Sequence, residues 1–337
     1  MPGLPEIVYA SLSKYSEQRR PLVLTNSFAE RAAKTYLATL NSARIEFVDL
    51  ATEEKAAQIM SLIDGQEVIL ALGGGTVLDV AKIVSRRSGL PLVCIPTILS
   101  TDAIFDDYAV LRKNGFITFE PGRMAERVVI DCDLIRSSPK KYTLAGCGDI
   151  LSIFTGLYDW KTTNDLGRQR PDEIFSPAVY KTAEGILDYL LENAKDIKAL
   201  SPKGIGIIAD CLAMETLLCN SYGSKPAIPE VGGEHFFAHN IYNKMPHFLH
   251  GEMVALGVVL TAHIQGQDPH PIISFMDTIG LDYRPEGISR KLIRQTLEEM
   301  PEYVKLHKLR RSVYNDFDFQ SQVSSINLLL DAIGIKE

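Results

Sequence analysis

The sequence predicts an α/β half built on a doubly wound parallel sheet, followed by an all-α half. Three observations carry this. Short apolar runs alternate with longer amphipathic stretches from Arg20 to about Ile135, and β-branched runs give way to long helical ones after Ser138-Pro139. The chain's 337 residues, 46% hydrophobic and 23% charged, suffice for two domains with buried cores.

In order, apolar runs predict strands at residues 21–25, 45–48, 67–72, 91–95 and 128–130, with helical segments between the earlier ones. Short strands separated by helices pair in parallel through right-handed crossovers. Helices are expected over residues 149–164, 177–191, 205–219 and 251–265. The expected domains are therefore residues 1–137 and 138–337.

A net charge of -7 argues against a partner with a phosphate backbone, so nucleic acid is not expected. Residues 253–263 form the longest nearly apolar stretch, too short to span a bilayer. The opening Met-Pro-Gly-Leu-Pro-Glu shows no signal-peptide pattern, and a cytoplasmic location is expected. The five cysteines form no CxxC pair and are expected as reduced thiols. Among them Cys147 suits packing in a tight turn better than a role as nucleophile or ligand.

Two stretches carry chemistry. Gly73-Gly74-Gly75 follows a strand and opens a helix. Glycines admit a phosphate close to the backbone, and the helix start supplies unpaired N–H groups and partial positive charge. Tight packing explains such a turn as readily. The next strand runs out into Pro96-Thr97-Ile98-Leu99-Ser100-Thr101-Asp102-Ala103, placing hydroxyls and a carboxylate at the edge where open sheets bind ligands. A polar loop with a helix cap at Ser100 or Asp102 is the plainer alternative.

The second stretch is a histidine cluster: His235, His239, His247 and His250 fall within sixteen residues. His235 and His239 share one helix face, and His250-Gly251-Glu252 opens another helix. Two imidazoles from separate helices plus a carboxylate form a three-ligand site with an open position, the pattern of catalytic zinc. Gly146-Cys147-Gly148-Asp149 offers the carboxylate, expected at a helix start behind glycines that permit close approach.

On Gly-Gly-Gly-Thr-x-x-Asp-x-x-Lys (73–82), Pro-Thr-x-x-Ser-x-Asp (96–102), Gly-Cys-Gly-Asp-Ile-Leu-Ser (146–152), Gly-Glu-His-x-x-x-His (233–239) and Leu-His-Gly-Glu (249–252), the chain resembles the superfamily of iron-containing alcohol dehydrogenase, glycerol dehydrogenase and dehydroquinate synthase. Within it the chain is most similar to sn-glycerol-1-phosphate dehydrogenases. The resemblance implies a dehydroquinate synthase-like fold, with an α/β dinucleotide-binding domain and a helical domain for metal and substrate. It implies that Gly74, Gly75, Thr76 and Asp79 hold the dinucleotide, with Thr97 and Ser100 near its nicotinamide. Asp102 and His239 would face the substrate. Asp149, His235 and His250 would bind Zn2+, with iron or another divalent metal as the alternative.

Asn26 stands where relatives that prefer NAD carry an Asp that would repel a 2′-phosphate, so either NAD(H) or NADP(H) is admissible. Asp106 occupies a position that is normally Ser. The implied reaction is hydride transfer between nicotinamide and a small polyol phosphate or ketone. The best match is sn-glycerol-1-phosphate with dihydroxyacetone phosphate, placing the enzyme in phospholipid biosynthesis. Relatives place an Arg-Pro shortly before the Glu-His pair, whereas this chain has Lys225-Pro226 and about three extra residues.

The alternatives are a dehydrogenase for unphosphorylated polyols, suggested by Ser100-Thr101-Asp102-Ala103; a dehydroquinate synthase-like lyase; and a metal- and nucleotide-binding protein without catalysis. A homo-oligomer is expected, with no membrane span.

Overall fold

The computed structural model describes residues 3–113, 116–221, 228–245 and 248–335. Two compact units divide the chain: Gly3–Thr143 with Leu200–Ile205, and the remainder from Leu144 onward.

The strands of the first unit are β1 (Glu6–Tyr9), β2 (Pro21–Thr25), β3 (Arg44–Phe47), β4 (Val68–Gly73), β5 (Leu92–Pro96), β6 (Tyr108–Lys113), β7 (Phe116–Pro121) and β8 (Arg127–Ile130). Its helices are α1 (Ser27–Ala32), α2 (Lys34–Leu37), α3 (Glu53–Met60), α4 (Gly75–Ser88) and α5 (Cys132–Ser137). Six strands form one parallel sheet in the order β1-β8-β5-β4-β2-β3. β2, β4 and β5 are buried along their whole length, which is why they read as unbroken apolar runs. Val23, Leu70, Leu72, Val93, Ile95 and Val129 pack with Ala29, Ala33 and Tyr36 of the α1–α2 segment into one core.

Strand order reverses at β2 and β4, the place where open sheets leave a crevice at their carboxyl ends. Register aligns Thr25 with Leu72 and Gly73 with Pro96. Asn26, Gly74 and Thr97, each following its strand, therefore emerge side by side.

The β6–β7 hairpin and edge strand β1 were not among the expected elements. The hairpin is antiparallel and is tied to α4 from below: the Asp79 carboxylate accepts the Val110 N–H at 3.0 Å. Lys82, 1% exposed, donates to the Asp106 carboxylate and to the carbonyls of Ala103 and Tyr108.

Beyond the sheet the described residues are helical. The elements are α6 (Lys140–Ile150), α7 (Ile153–Asp165), α8 (Pro177–Glu192), α9 (Ala194–Ala199), α10 (Pro202–Ser221), α11 (Gly233–Lys244), α12 (His250–Gln265), α13 (His270–Ile279), α14 (Arg290–Leu306) and α15 (Phe319–Ala332). One expectation needs correction. Residues 149–164 are not one helix: the chain turns at Leu151-Ser152, so Asp149 lies in the last turn of α6 and α7 begins at Ile153. Among the described residues no helix is long and apolar enough to cross a membrane.

Candidate metal centre and dinucleotide cradle

In the helical unit, three elements bring one donor atom each from Asp149, His235 and His250 to within 4.8 Å of one another. The approach of α6 to α12 depends on two glycines. A Cβ on Gly251 would lie 1.7 Å from the Ala145 carbonyl oxygen, and one on Gly148 would lie 2.0 Å from the Gly251 oxygen. Only bare backbone lets the helices touch there, and contact places Asp149 against His250.

Asp149 is 1% exposed, and its Oδ1 stands 3.3 Å from Nε2 of His235 and 3.2 Å from Nε2 of His250. Yet Oδ1 has no aligned hydrogen-bond donor. A buried carboxylate oxygen left in that state is costly. The three donor atoms are grouped closely enough to share one cation. The edge of a tetrahedron with metal–ligand bonds of 2.0–2.1 Å is about 3.3 Å, which matches the two distances. Two imidazoles and a carboxylate are also the right chemistry for zinc or ferrous iron, so the residues fit a divalent metal.

The surroundings fix each ligand. Glu234, wholly buried, lies 3.1 Å from Nδ1 of His235, leaving Nε2 for the metal side. The Tyr242 ring stacks on His250 at 6.0 Å, and its hydroxyl donates to the Phe248 carbonyl at 2.7 Å. Burial disfavours charge on His235, but the adjacent carboxylates of Asp149 and Glu234 outweigh it and raise its pKa to about 9. Burial likewise opposes ionisation of Asp149, yet His250 and His235 hold its carboxyl well below the usual range. A bound metal would take the place of a proton on these groups.

His239 follows on the same face of α11, its ring 6.0 Å from His235 and 6.1 Å from His250. Burial, with positive charge on those two neighbours, pushes its pKa down to about 3. In this setting the side chain is a neutral imidazole near neutral pH. Cys147 is buried and its thiol is pushed up, a packing residue as expected.

In the sheet unit, Gly73–Gly75 and the start of α4 form a cradle. α4 has no side-chain cap, and a Cβ on Gly75 would meet nothing within 4 Å, so the start of the helix has room beside it. Gly73 and Gly74 have less room: their added Cβ atoms would strike Val77 and Ile98. Thr76 is exposed in the first turn. Thr97 is buried, its N–H bonded to Gly73 O at 3.0 Å and its carbonyl accepting from Ser138 at 2.8 Å. Ser100 is half-buried, and Thr101 rather than Ser100 or Asp102 caps the short turn Asp102–Ile104.

Asp79 is engaged inside the fold with Val110, and burial pushes its pKa up to about 7. Asp106 serves as counter-ion to buried Lys82. Asn26 caps α1, its Oδ1 accepting from Phe28 N–H at 3.1 Å and Ala29 N–H at 2.9 Å. His247 and Lys225-Pro226 lie outside the described residues.

Lys82 and Glu234 stood in the quoted motifs without a role, and Tyr242 was not singled out. The one available signal was adjacency: Glu234 precedes a candidate ligand in Gly-Glu-His.

Residues 8–139 match the family described as iron-containing alcohol dehydrogenase. A glycerol-1-phosphate dehydrogenase (NAD(P)+) from Aeropyrum pernix is 28% identical over 264 residues, 76% of this chain and 72% of that protein. A probable glycerol dehydrogenase from Sinorhizobium meliloti 1021 superposes with a TM-score of 0.69 at 21% identity, covering 89% of both chains. Glycerol dehydrogenase from Schizosaccharomyces pombe gives 0.70 at 15% identity, covering 99% of this chain and 93% of that one. The sheet unit is thus similar to the iron-containing alcohol dehydrogenase family, most of the chain is similar to glycerol-1-phosphate dehydrogenases, and its fold is that of glycerol dehydrogenases.

Proposed function

We propose that the protein is a metal-dependent, NAD(P)(H)-linked oxidoreductase that interconverts sn-glycerol-1-phosphate and dihydroxyacetone phosphate. The observation that carries the reading is the grouping of donor atoms of Asp149, His235 and His250 within 4.8 Å of one another in a relative of enzymes named glycerol-1-phosphate dehydrogenase.

The bound metal supplies Lewis-acid polarisation of the ketone oxygen, and the dinucleotide supplies the hydride. Asp149, His235 and His250 hold the metal. The cradle at Gly74, Gly75 and Thr76 binds pyrophosphate through backbone N–H groups, while Asp79 braces the hairpin beside it. Thr97 and Ser100 lie at the nicotinamide half, and Asp102 contacts the substrate. His239, held neutral, orients a substrate hydroxyl by hydrogen bonding rather than by charge. Replacing His239 with Ala lowers turnover by roughly 10²- to 10⁴-fold while metal content stays at the wild-type level. Metal analysis of the purified variant checks this, and a metal-free variant refutes the division of roles.

Cofactor choice rests on Asn26. Its carbonyl is used in capping α1, so its amide N–H groups are what it can offer a ribose or a 2′-phosphate. Asn26→Asp keeps the cap but adds charge, and KM for NADPH rises about fivefold or more relative to NADH. Equal effects on both cofactors would place the adenosine elsewhere.

One feature favours a second reading, a dehydrogenase of unphosphorylated polyols: the run Ser100-Thr101-Asp102-Ala103 resembles that of glycerol dehydrogenases. A crossed panel of NADH and NADPH against dihydroxyacetone phosphate and dihydroxyacetone, with and without chelator, decides between them. Oxidation of reduced cofactor only with the phosphorylated ketone, lost with chelator, is the expected result. Preference for the free ketone installs the second reading, and activity that survives stripping of the metal refutes metal dependence.

A further inference from the structure

We infer that Glu234 is a positioning residue for the metal centre: its carboxylate accepts a hydrogen bond from Nδ1–H of His235 and so presents the Nε2 lone pair to the cation. The inference rests on the metal reading above and adds a residue to it.

Three features set Glu234 apart from a helix cap that happens to neighbour a histidine. First, it is wholly buried, and its Oε1 serves two groups, the Gly232 N–H and Nδ1 of His235 at 3.1 Å. Second, Oε2 accepts from the Thr155 hydroxyl at 2.6 Å, so the carboxylate is held at both oxygens and cannot swing. Third, the backbone that carries it is itself pinned. Asp159 accepts the Gly233 N–H at 3.0 Å through Oδ2, and through Oδ1 it accepts from Gln265 at 2.9 Å and from the Val313 N–H at 2.8 Å. α7, α12 and the turn at Val313 thus fix the start of α11, which fixes Glu234, which fixes the ring of His235.

A neutral imidazole has one N–H and one lone pair, and the hydrogen bond on one nitrogen decides what the other can do. With Nδ1–H committed to a carboxylate, Nε2 is the ligating atom, and the adjacent negative charge makes the ring a stronger base toward a cation. Thr155 and Asp159 act one step further out, through Glu234 and the backbone of Gly233.

The test is zinc affinity of the full chain by chelator competition, together with the visible absorption of the cobalt-loaded protein. Glu234→Gln keeps an acceptor for Nδ1–H and loses the charge; Glu234→Ala loses both. Zinc affinity falls about tenfold in Gln and toward a hundredfold in Ala, and the cobalt bands shift in both. Leu330→Ala in α15 destabilises the fold without touching this network, and its cobalt bands coincide with wild type. Should Glu234→Ala fail to fold, Glu234→Gln and Thr155→Val carry the same comparison. Wild-type zinc affinity and unshifted cobalt bands in folded Glu234 variants overturn the inference and leave the metal reading intact. Wild-type protein that takes up neither zinc nor cobalt overturns the metal reading itself.

Discussion

Gly251→Ala is expected to lower the melting temperature by roughly 6–12 °C, corresponding to about 3 kcal/mol or more of destabilisation, and to empty the metal centre. The argument is steric and local. The new Cβ would sit 1.7 Å from the carbonyl oxygen of Ala145, well inside contact distance, and the obstacle is backbone rather than a side chain that could rotate away. α12 must therefore move off α6. His250 rides at the start of α12 and Asp149 in the last turn of α6, so displacement by even an ångström breaks their 3.2 Å approach. Gly148→Ala meets the Gly251 carbonyl from the other side and has the same outcome. Differential scanning fluorimetry of the metal-free protein reports the steric cost, and zinc titration reports the lost geometry. A Gly251→Ala protein that melts within about 2 °C of wild type and binds zinc normally would show that the helices are not in contact there.

The same two glycines mark how far the sequence could be read. Gly146-Cys147-Gly148-Asp149 and His250-Gly251 were recognisable as a ligand pair flanked by small residues, but not as one interlocked surface, because the contact joins positions a hundred residues apart. Buried strands β2, β4 and β5 were legible because burial on both faces leaves continuous apolar runs. Edge strand β1, with both ends exposed, has no such signature. The β6–β7 hairpin was missed for a different reason. It is held by the side chains of Asp79 and Lys82, polar residues on a helix that sequence patterning assigns to a wet face. Burial of those groups is set by tertiary pairing, and so is the placement of Glu234, Asp159 and Gln265 beneath the histidines. The candidate histidines stood out because imidazoles are rare enough for their spacing to carry information, whereas the carboxylate Asp149 was legible only through the glycines around it.

Asp149→Asn is expected to reduce metal affinity more than about a hundredfold, beyond what loss of a residue outside the ligand set costs, and to abolish activity in step. The change is nearly isosteric, so the fold persists and the loss is electrostatic. An amide oxygen brings no charge to the cation, and the remaining donors are two neutral imidazoles. The metal-free protein offers a second, independent readout through pH. In the wild type His235 is raised from 6.5 to about 9, so its contribution to stability is complete below about 6.5 and disappears as pH climbs through about 9. Asp149 is shifted the other way, so its contribution holds above its ordinary value of 3.8 and disappears only in stronger acid. Wild-type apoprotein therefore loses stability between neutral pH and about pH 10, and Asp149→Asn, having removed one of the two carboxylates that hold the proton on His235, shows a weaker decline over the same interval. Metal must displace that proton, so zinc affinity of the wild type rises with pH until His235 has titrated. Melting temperatures and zinc dissociation constants measured from pH 6 to 10 test both statements. A variant that keeps zinc, or an apoprotein whose stability is flat across that range, would mean that Asp149 and His235 do not share the charge their 3.3 Å separation implies.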